Sequence, residues 1–225
     1  MNRVWTVLFA VLAAAVFVLV EIWAFREETD TAAVDTGTST PTTTTAPSVP
    51  EMVTASGPVD LSALRIAPDR HGRDYRREAF GPGWAPAVGP GCDVRDTVLA
   101  RDLTATTVAR GCDVTAGTLH DPYSGQTVTG PTREIDIDHV IPLALAHRSG
   151  AHAWTDAQRE RFANDPDNLR ATTPAVNRAK SDHGPEHWMP QVDACAYAHD
   201  FARVATRYQL TVTAARAAAL QRACR

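Results

Sequence analysis

Residues 133–182 constrain the fold more than any other stretch of this chain. Apolar and acidic residues alternate over residues 134–138, so a strand there would bury Ile135 and Ile137 and place three carboxylates on its other face. Three neighbouring carboxylates repel one another unless a positive group, such as a divalent cation, lies beside them. These five residues alone fit an exposed edge strand equally well.

The second half of this stretch predicts a returning strand and a helix. Asp165 is followed by Pro166, which is typical of a type I turn, and residues 169–172 can form the second strand. Thr173 suits the N-cap of a helix over residues 175–181. The order strand, long loop, strand, helix predicts an α+β fold.

The predicted helix places an amide and a cation on one face. Asn177 and Lys180 are three residues apart, so both can face the acidic strand. An amide oxygen beside carboxylates suits Mg²⁺, which prefers oxygen ligands and retains water; Mn²⁺ would also fit. The sequence therefore predicts a metal site between strand and helix.

Three segments carry a resemblance to a known family. The sequences IDHVIP, DNL and NRAKSD resemble the HNH, or ββα-metal, nuclease motif; they occupy residues 137–142, 167–169 and 177–182. Further segments are similar to exported bacterial HNH endonuclease family proteins, namely FGPGW at residues 80–84, ARDL at 100–103, HDPY at 120–123 and FANDP at 162–166. The resemblance implies a ββα-metal core with an added β-hairpin and C-terminal helices.

The resemblance also implies roles for five residues. His139 would be the general base that activates water, Asp138 and Asn177 would bind the metal ion, and Asn168 would support the loop and the histidine. We assign Lys180 to the negative charge of the phosphate. A histidine with a pKa near neutrality suits a base in phosphodiester hydrolysis.

The function that these roles imply is hydrolysis of nucleic acid, with DNA favoured over RNA, by a monomeric endonuclease. Two other interpretations remain open: a non-catalytic exported interaction module on the same fold, and a phosphodiesterase that acts on a cell-envelope polymer. The sequence identifies no inhibitor protein.

The first 28 residues predict export. Residues 4–20 form a run of 17 uncharged residues behind Arg3 that are apolar except for Thr6, and no good cleavage site follows. Residues 1–28 are therefore a signal peptide or an N-terminal transmembrane anchor, with the anchor slightly favoured. In either case the remaining chain lies outside the cytoplasm, and an uncleaved segment would tie it to the membrane.

A linker separates this segment from the predicted domain. Residues 29–59 are rich in Thr, Pro and Ser, so we expect them to be disordered, and residues 60–225 form the nuclease domain. That domain carries equal numbers of acidic and basic residues, whereas most nucleic-acid-binding proteins are basic. Positive charge is concentrated locally in four residues, which we call the arginine cluster: Arg70, Arg73, Arg76 and Arg77. This cluster could contact phosphate or could equally be a solvated face.

Four cysteines lie in the predicted domain without a close C-x-x-C pair, so disulfides are favoured over zinc or a free thiol. Three pairings exist. We favour Cys92 with Cys112 and Cys195 with Cys224, because each pair brackets one local unit.

Other elements follow from local patterns. Residues 114–128 predict a β-hairpin, since turn residues separate two β-prone runs. Thr155 and Gln158 form a capping box before a helix over residues 156–163. Residues 192–208 and 213–223 predict two C-terminal helices, while residues 97–103 fit a helix or a strand.

Overall fold

The structure, a computed structural model, describes residues 57–87 and 91–225. All of these residues belong to one unit, Glu51–Arg225. The predicted signal peptide or anchor, and the predicted linker up to residue 56, lie outside the described residues. Within the described ranges, no helix has the length and apolar character needed to cross a bilayer.

The described residues form a mixed α+β fold, as predicted. The helices in this part of the chain are α1 (Val94–Asp102), α2 (Leu143–Arg148), α3 (Asp156–Ala163), α4 (Pro174–Lys180), α5 (Ala194–Arg207) and α6 (Ala214–Arg222). The strands are β1 (Arg65–Ile66), β2 (Leu103–Ala109), β3 (Asp113–His120), β4 (Thr127–Pro131), β5 (Asp136–His139), β6 (Leu169–Thr172) and β7 (Thr211–Val212). Short 3₁₀ helices lie at Gly72–Asp74, Arg77–Phe80, Thr132–Glu134, Ala151–Ala153 and Pro166–Asn168.

The predicted hairpin is confirmed as β3 and β4, which pair antiparallel. Asp121 shapes the turn between them, because its carboxylate accepts hydrogen bonds from the backbone N–H groups of Tyr123 and Ser124 at 2.8 and 3.2 Å. Strand β2 adds a third antiparallel strand beside β3. Residues 97–103, for which the sequence allowed a helix or a strand, mostly form the end of helix α1.

Strands β5 and β6 pair antiparallel, with Asp138 opposite Arg170 and His139 opposite Leu169. Helix α4 follows β6 directly, with Thr173 as its N-cap and a proline in its first turn. One expectation for β5 is wrong. Glu134 belongs to the preceding 3₁₀ helix and is exposed, so two acidic residues of the strand, not three, share its polar face.

The β5–β6 pair lies where two apolar cores meet. Ile135 and Ile137 pack with helix α1 and the three-stranded sheet, as the alternation predicted. Val140 and Ile141, which follow β5, pack instead with the helices α2, α3, α5 and α6. His139 therefore lies at the boundary between the two cores.

Local predictions elsewhere are confirmed. Helix α3 spans the predicted residues and carries the predicted capping box at Thr155. The two C-terminal helices occur as α5 and α6. Both favoured disulfides are present: Cys92 with Cys112 at the start of α1 and β3, and Cys195 with Cys224 between α5 and the end of α6.

Candidate functional site

His139 ends strand β5 and is only 9% exposed. Its Nε2 atom lies 2.9 Å from the backbone oxygen of Ala163, at the C-terminal end of α3. A carbonyl oxygen can only accept a hydrogen bond, so Nε2 carries the proton of the neutral ring. The other nitrogen, Nδ1, is then unprotonated and has a lone pair that can accept a proton.

The surroundings of His139 keep it neutral. Burial lowers its pKa to about 4, and the positive charges of Lys180 and Arg77 act in the same direction, whereas the hydrogen bond to Ala163 opposes them. A neutral imidazole at pH 7 is the form that can act as a base.

A cleft of about 150 Å³ opens beside the His139 ring. Arg77, Trp84 and the glycine-rich segment between them form its wall. The indole of Trp84 stacks on the imidazole, with ring centres 6.4 Å apart and an angle of 15°. The cleft thus combines a proton acceptor, an aromatic face and an exposed guanidinium group.

Asn164 holds the cleft wall in place. Its side-chain oxygen accepts a hydrogen bond from the backbone of Ala85 at 2.8 Å, and its amide group donates to the backbone oxygens of Gly83 and Glu160. These contacts tie the residues around Trp84 to helix α3, next to Ala163. The sequence prediction placed Arg77 only in the arginine cluster and gave Asn164 and Trp84 no individual role. No local pattern shows that Asn164 meets Gly83 and Ala85, which lie 81 and 79 positions away.

Asn168 lies where a supporting residue is needed. It is fully buried, and its side-chain oxygen accepts a hydrogen bond from the backbone N–H of Ile141 at 2.8 Å. The backbone oxygen of Asn168 accepts from the N–H of Val140 at 2.8 Å. Both residues follow His139 directly, so Asn168 fixes the chain that leaves the candidate base.

Lys180 occupies a different environment from the predicted phosphate contact. Its side chain is fully buried, and its Nζ atom lies 3.0 and 2.9 Å from the two carboxylate oxygens of Asp138. It also donates to the backbone oxygen of His139 at 2.6 Å and lies over the ring of Trp188. The ammonium group is thus enclosed by Asp138, the backbone oxygen of His139 and Trp188, and it contacts the strand that carries His139 rather than solvent.

The carboxylate of Asp138 already accepts hydrogen bonds from donor groups of the protein. Besides Lys180, its carboxylate accepts a hydrogen bond from the hydroxyl of Tyr123 at 3.1 Å and interacts with the backbone N–H of His139. Burial raises the pKa of Asp138 and lowers that of Lys180, and the attraction between the two charges opposes both shifts. The predicted role of Asp138 as a metal ligand would require a cation to displace or share these donors, and the adjacent ammonium group disfavours that.

The side chains of Asp136 and Asn177 carry oxygen atoms and are less buried than that of Asp138. The amide nitrogen of Asn177 donates a hydrogen bond to the Asp136 carboxylate at 3.0 Å. This bond fixes the orientation of the Asn177 amide. Both side chains are half-buried. The set of one carboxylate and one amide oxygen fits Mg²⁺ or Mn²⁺ completed by water and phosphate oxygens. Asp136, together with the predicted Asn177, would therefore be the residues available to hold such an ion.

Asp121 connects the hairpin turn to this region. It is 1% exposed, and its second carboxylate oxygen accepts hydrogen bonds from the Thr172 hydroxyl at 2.9 Å and the Thr173 backbone at 2.8 Å. Burial alone would raise the pKa of Asp121, but the hydrogen bonds from Thr173, Tyr123 and Thr172 outweigh it, and the pKa is lowered. Asp121 thereby joins the turn that carries Tyr123 to the start of helix α4.

Residues 93–223, more than half of the chain and including His139 with strands β5 and β6, match the family of GmrSD restriction endonucleases, C-terminal domain. The chain belongs to this family. Membership of the GmrSD C-terminal domain family relates it to nucleases, which are phosphodiester hydrolases.

One relative adds a comparison over a longer stretch. An uncharacterized secreted protein of Arthroderma benhamiae (strain ATCC MYA-4681 / CBS 112371) is 42% identical over 180 residues, which cover 78% of this chain and 86% of that protein. This relative is fungal, so it does not show the bacterial origin that the resemblance implied. No solved structure matches the chain significantly.

Proposed function

We propose that this protein is an exported, metal-dependent endonuclease with an HNH-type, or ββα-metal, core that hydrolyses phosphodiester bonds of nucleic acid, with DNA preferred. The observation that carries the proposal is the fixed tautomer of His139. The Nε2–H group of His139 donates to the backbone oxygen of Ala163, so Nδ1 is available as a base at the edge of an open cleft. Family membership and the antiparallel β5–β6 pair followed by α4 support it.

In the proposed reaction, Nδ1 of His139 takes a proton from a water molecule while the water oxygen attacks phosphorus. The bond from phosphorus to the leaving oxygen breaks, and that oxygen takes up a proton from solvent. A divalent ion held by Asp136 and Asn177 would supply charge neutralisation at the phosphate oxygens. Asn168 keeps the chain after His139 in place, so that the base does not have to be ordered during each turnover.

Arg77 is the exposed cation nearest to the candidate base in the cleft lining. We assign to it the phosphate contact that the buried Lys180 cannot make. The ring of Trp84 offers a face on which a base or sugar can pack. Both contacts tolerate many sequences, which agrees with an enzyme of low sequence selectivity.

Export is part of the proposal. The two disulfides are typical of proteins outside the cytoplasm, and the Arthroderma benhamiae relative carries the name of a secreted protein. The apolar run at residues 4–20 agrees with this location.

The test is a plasmid-nicking assay with Mg²⁺, Mn²⁺ or chelator. We expect wild-type protein to nick DNA in the presence of metal, and His139→Ala to reduce the rate at least on the order of 100-fold, as loss of a general base does. His183→Ala is the matched control, because His183 is exposed and contacts only His187 among aromatic rings of the described residues.

Three outcomes would contradict the proposal. Equal cleavage by wild type and His139→Ala would exclude this site. Inactivity of the folded wild type on DNA and RNA would favour a non-catalytic module. Hydrolysis of an envelope phosphodiester alone would assign the chemistry to another substrate.

A further inference from the structure

Three aromatic side chains, which we call the aromatic cluster, pack against one another beside strand β5: Tyr123, Trp188 and Tyr197. Their ring centres lie 5.3, 5.8 and 5.8 Å apart, and the rings of each pair meet at 80–87°, edge to face. Aromatic pairs prefer this arrangement. The three rings come from the β3–β4 turn, from the chain between α4 and α5, and from α5, so the cluster joins three distant parts of the domain.

Tyr123 contacts the residue before His139. Its hydroxyl donates to the Asp138 carboxylate at 3.1 Å. The backbone of Tyr123 is fixed at both ends, because its N–H donates to the Asp121 carboxylate at 2.8 Å and its oxygen accepts from the N–H of Gln191 at 2.8 Å. The position of Tyr123 is thus set by contacts that do not involve Asp138, so its hydroxyl is a fixed point for the Asp138 side chain.

Tyr197 contacts the residue after His139. Its hydroxyl donates to the backbone oxygen of Val140 at 3.2 Å. Tyr197 lies in helix α5, two residues after Cys195, which forms a disulfide with Cys224. The N–H of Val140 donates to the backbone oxygen of Asn168, so both polar backbone groups of Val140 have partners on other elements.

Trp188 is linked to His139 through Lys180. The Nζ atom of Lys180 lies 5.9 Å from the centre of the Trp188 ring and 2.6 Å from the backbone oxygen of His139. An ammonium group within about 6 Å of an aromatic face is attracted to it. The aromatic cluster therefore reaches three consecutive residues, 138–140, either directly or through one side chain.

Both tyrosine hydroxyls carry the proton that these contacts need. Burial raises the pKa of Tyr123 and of Tyr197, and the negative charge of Asp138 acts in the same direction on both. A protonated phenol can donate to a carboxylate or to a carbonyl oxygen. The two hydroxyls therefore remain donors at neutral pH.

The placement of the His139 ring depends on the backbone that these contacts fix. The ring keeps its Nε2 atom 2.9 Å from the backbone oxygen of Ala163, which belongs to another element, helix α3. A shift of the chain at residue 138 or 140 would move the imidazole relative to this acceptor. A displacement of about 1 Å in a catalytic group can lower a rate on the order of 100-fold.

We infer that Tyr123 and Tyr197 are positioning residues for His139, and that Trp188 holds the two tyrosine rings in place. The tyrosines act through Asp138 and Val140 and do not contact the substrate. The kinetic consequence of this inference rests on the proposed function. Its consequence for the His139 ring rests on the geometry alone.

The experiment removes each hydroxyl and retains the ring. We expect Tyr123→Phe and Tyr197→Phe each to lower kcat for DNA cleavage by roughly 10- to 100-fold, with KM unchanged, and the double variant to lower it further. Tyr208→Phe is the matched control, because its hydroxyl donates to Asp165 at 2.9 Å and does not contact residues 138–140. Melting temperatures show that each variant is folded, and the single variants carry the test should the double variant fail to fold.

A second measurement does not depend on activity. Nitrogen–proton NMR spectra of the imidazole rings show which nitrogen of His139 carries the proton, and His139→Gln identifies its signal by loss. We expect wild type and Tyr208→Phe to share one Nε2–H form. The two positioning variants should shift or broaden that signal, because the ring no longer keeps one place.

Several results would overturn the inference. These are an unchanged kcat in both positioning variants of an active enzyme, an unchanged His139 signal in both, and an equal loss of kcat in Tyr208→Phe. A rise in KM alone would also overturn it, since it would place the tyrosines at the substrate. If wild type cleaves no nucleic acid but the His139 signal changes as expected, the nuclease proposal fails while the positioning of the ring is upheld.

Discussion

At the scale of single residues, Asn168 supports the chain that leaves His139, although Asn168 and Ile141 are 27 positions apart in the sequence. The side chain of Asn168 forms hydrogen bonds with the backbone of Ile141, and its backbone oxygen accepts one from the N–H of Val140. A carboxamide is suited to this position because it can accept and donate within one plane.

We predict that Asn168→Ala lowers the free energy of unfolding by about 1–3 kcal/mol, since the buried N–H of Ile141 loses its acceptor. Urea unfolding followed by circular dichroism measures the change. Gln126→Ala, which truncates an exposed amide, should change stability by less than about 0.5 kcal/mol. Equal effects of both substitutions would contradict the supporting role.

His139 predicts a pH dependence of stability. Its pKa is about 4 in the folded protein and 6.5 in an unfolded chain, so the unfolded state binds a proton more readily. Stability is therefore full above about pH 6.5 and falls as the pH drops towards 4, by about 3 kcal/mol in total. Urea unfolding at pH 7.5 and pH 5, with chelator present, tests this expectation.

The comparison variant is His139→Gln, which retains a donor for Ala163 but does not titrate. His147 also has a lowered pKa and contributes with the same sign, so the difference between wild type and variant isolates His139. Parallel losses of stability between pH 7.5 and pH 5 in the two proteins would show that His139 titrates normally.

The roles of single residues were predictable from sequence to different degrees. His139 and Asn168 lie in the motif, and the structure brings Asn168 to the two residues that follow His139. The burial of Lys180 was not predictable, because it depends on Asp138, which is 42 positions away and is itself bonded to Tyr123, and on the ring of Trp188 beside Nζ. A lysine on a helix face gives no sign of whether that face meets solvent or a carboxylate.

At the scale of elements, strand β5 and helix α4 meet through two polar pairs. Asp136 pairs with Asn177, and Asp138 pairs with Lys180. Two residues along a strand advance about 6.6 Å and three along a helix about 4.5 Å, so the long lysine side chain can span the difference. The register of α4 on β5 therefore rests on these pairs.

We predict that Lys180→Met destabilises the protein by about 3–5 kcal/mol, because it leaves the Asp138 carboxylate buried without its cation. Adding Asp138→Asn should recover part of this loss, since the remaining group is neutral. Arg178→Met is the control on the same helix, where the side chain is exposed. Lost cleavage with unchanged stability in Lys180→Met would instead favour the phosphate contact that the sequence suggested.

Elements with strong local signals were predictable, and those defined by distant partners were not. Helix α3 has its capping box in sequence, and its bounds were predicted in full. Strand β2 is polar and largely exposed, and among the described strands it pairs with β3 alone, so its sequence shows no alternation to mark it. Helix α1 also has a capping box, but Asp93 and Asp96 are less usual members of that motif than Thr and Gln.

At the scale of the whole molecule, a domain without net charge has to attract a polyanion through local charge. Arg73, Arg76 and Arg77 are exposed on the segment that leads into the His139 cleft, and only Arg77 lines it. Arg70 is exposed as well, directly before this segment. The arginine cluster is thus placed to contact the substrate backbone beyond the reactive phosphate.

We predict that Arg73→Glu with Arg76→Glu raises KM for DNA on the order of 10-fold at low salt, with a much smaller effect on kcat. The substitutions remove phosphate contacts without touching the cleft lining. They should also make KM less dependent on salt, because each lost contact lowers the slope of log affinity against log salt by about 1. Arg222→Glu with Arg225→Glu changes the net charge equally at an exposed C-terminal position, so it separates local contact from overall charge. If both pairs raise KM to the same extent, net charge governs binding and the arginine cluster is only a solvated surface.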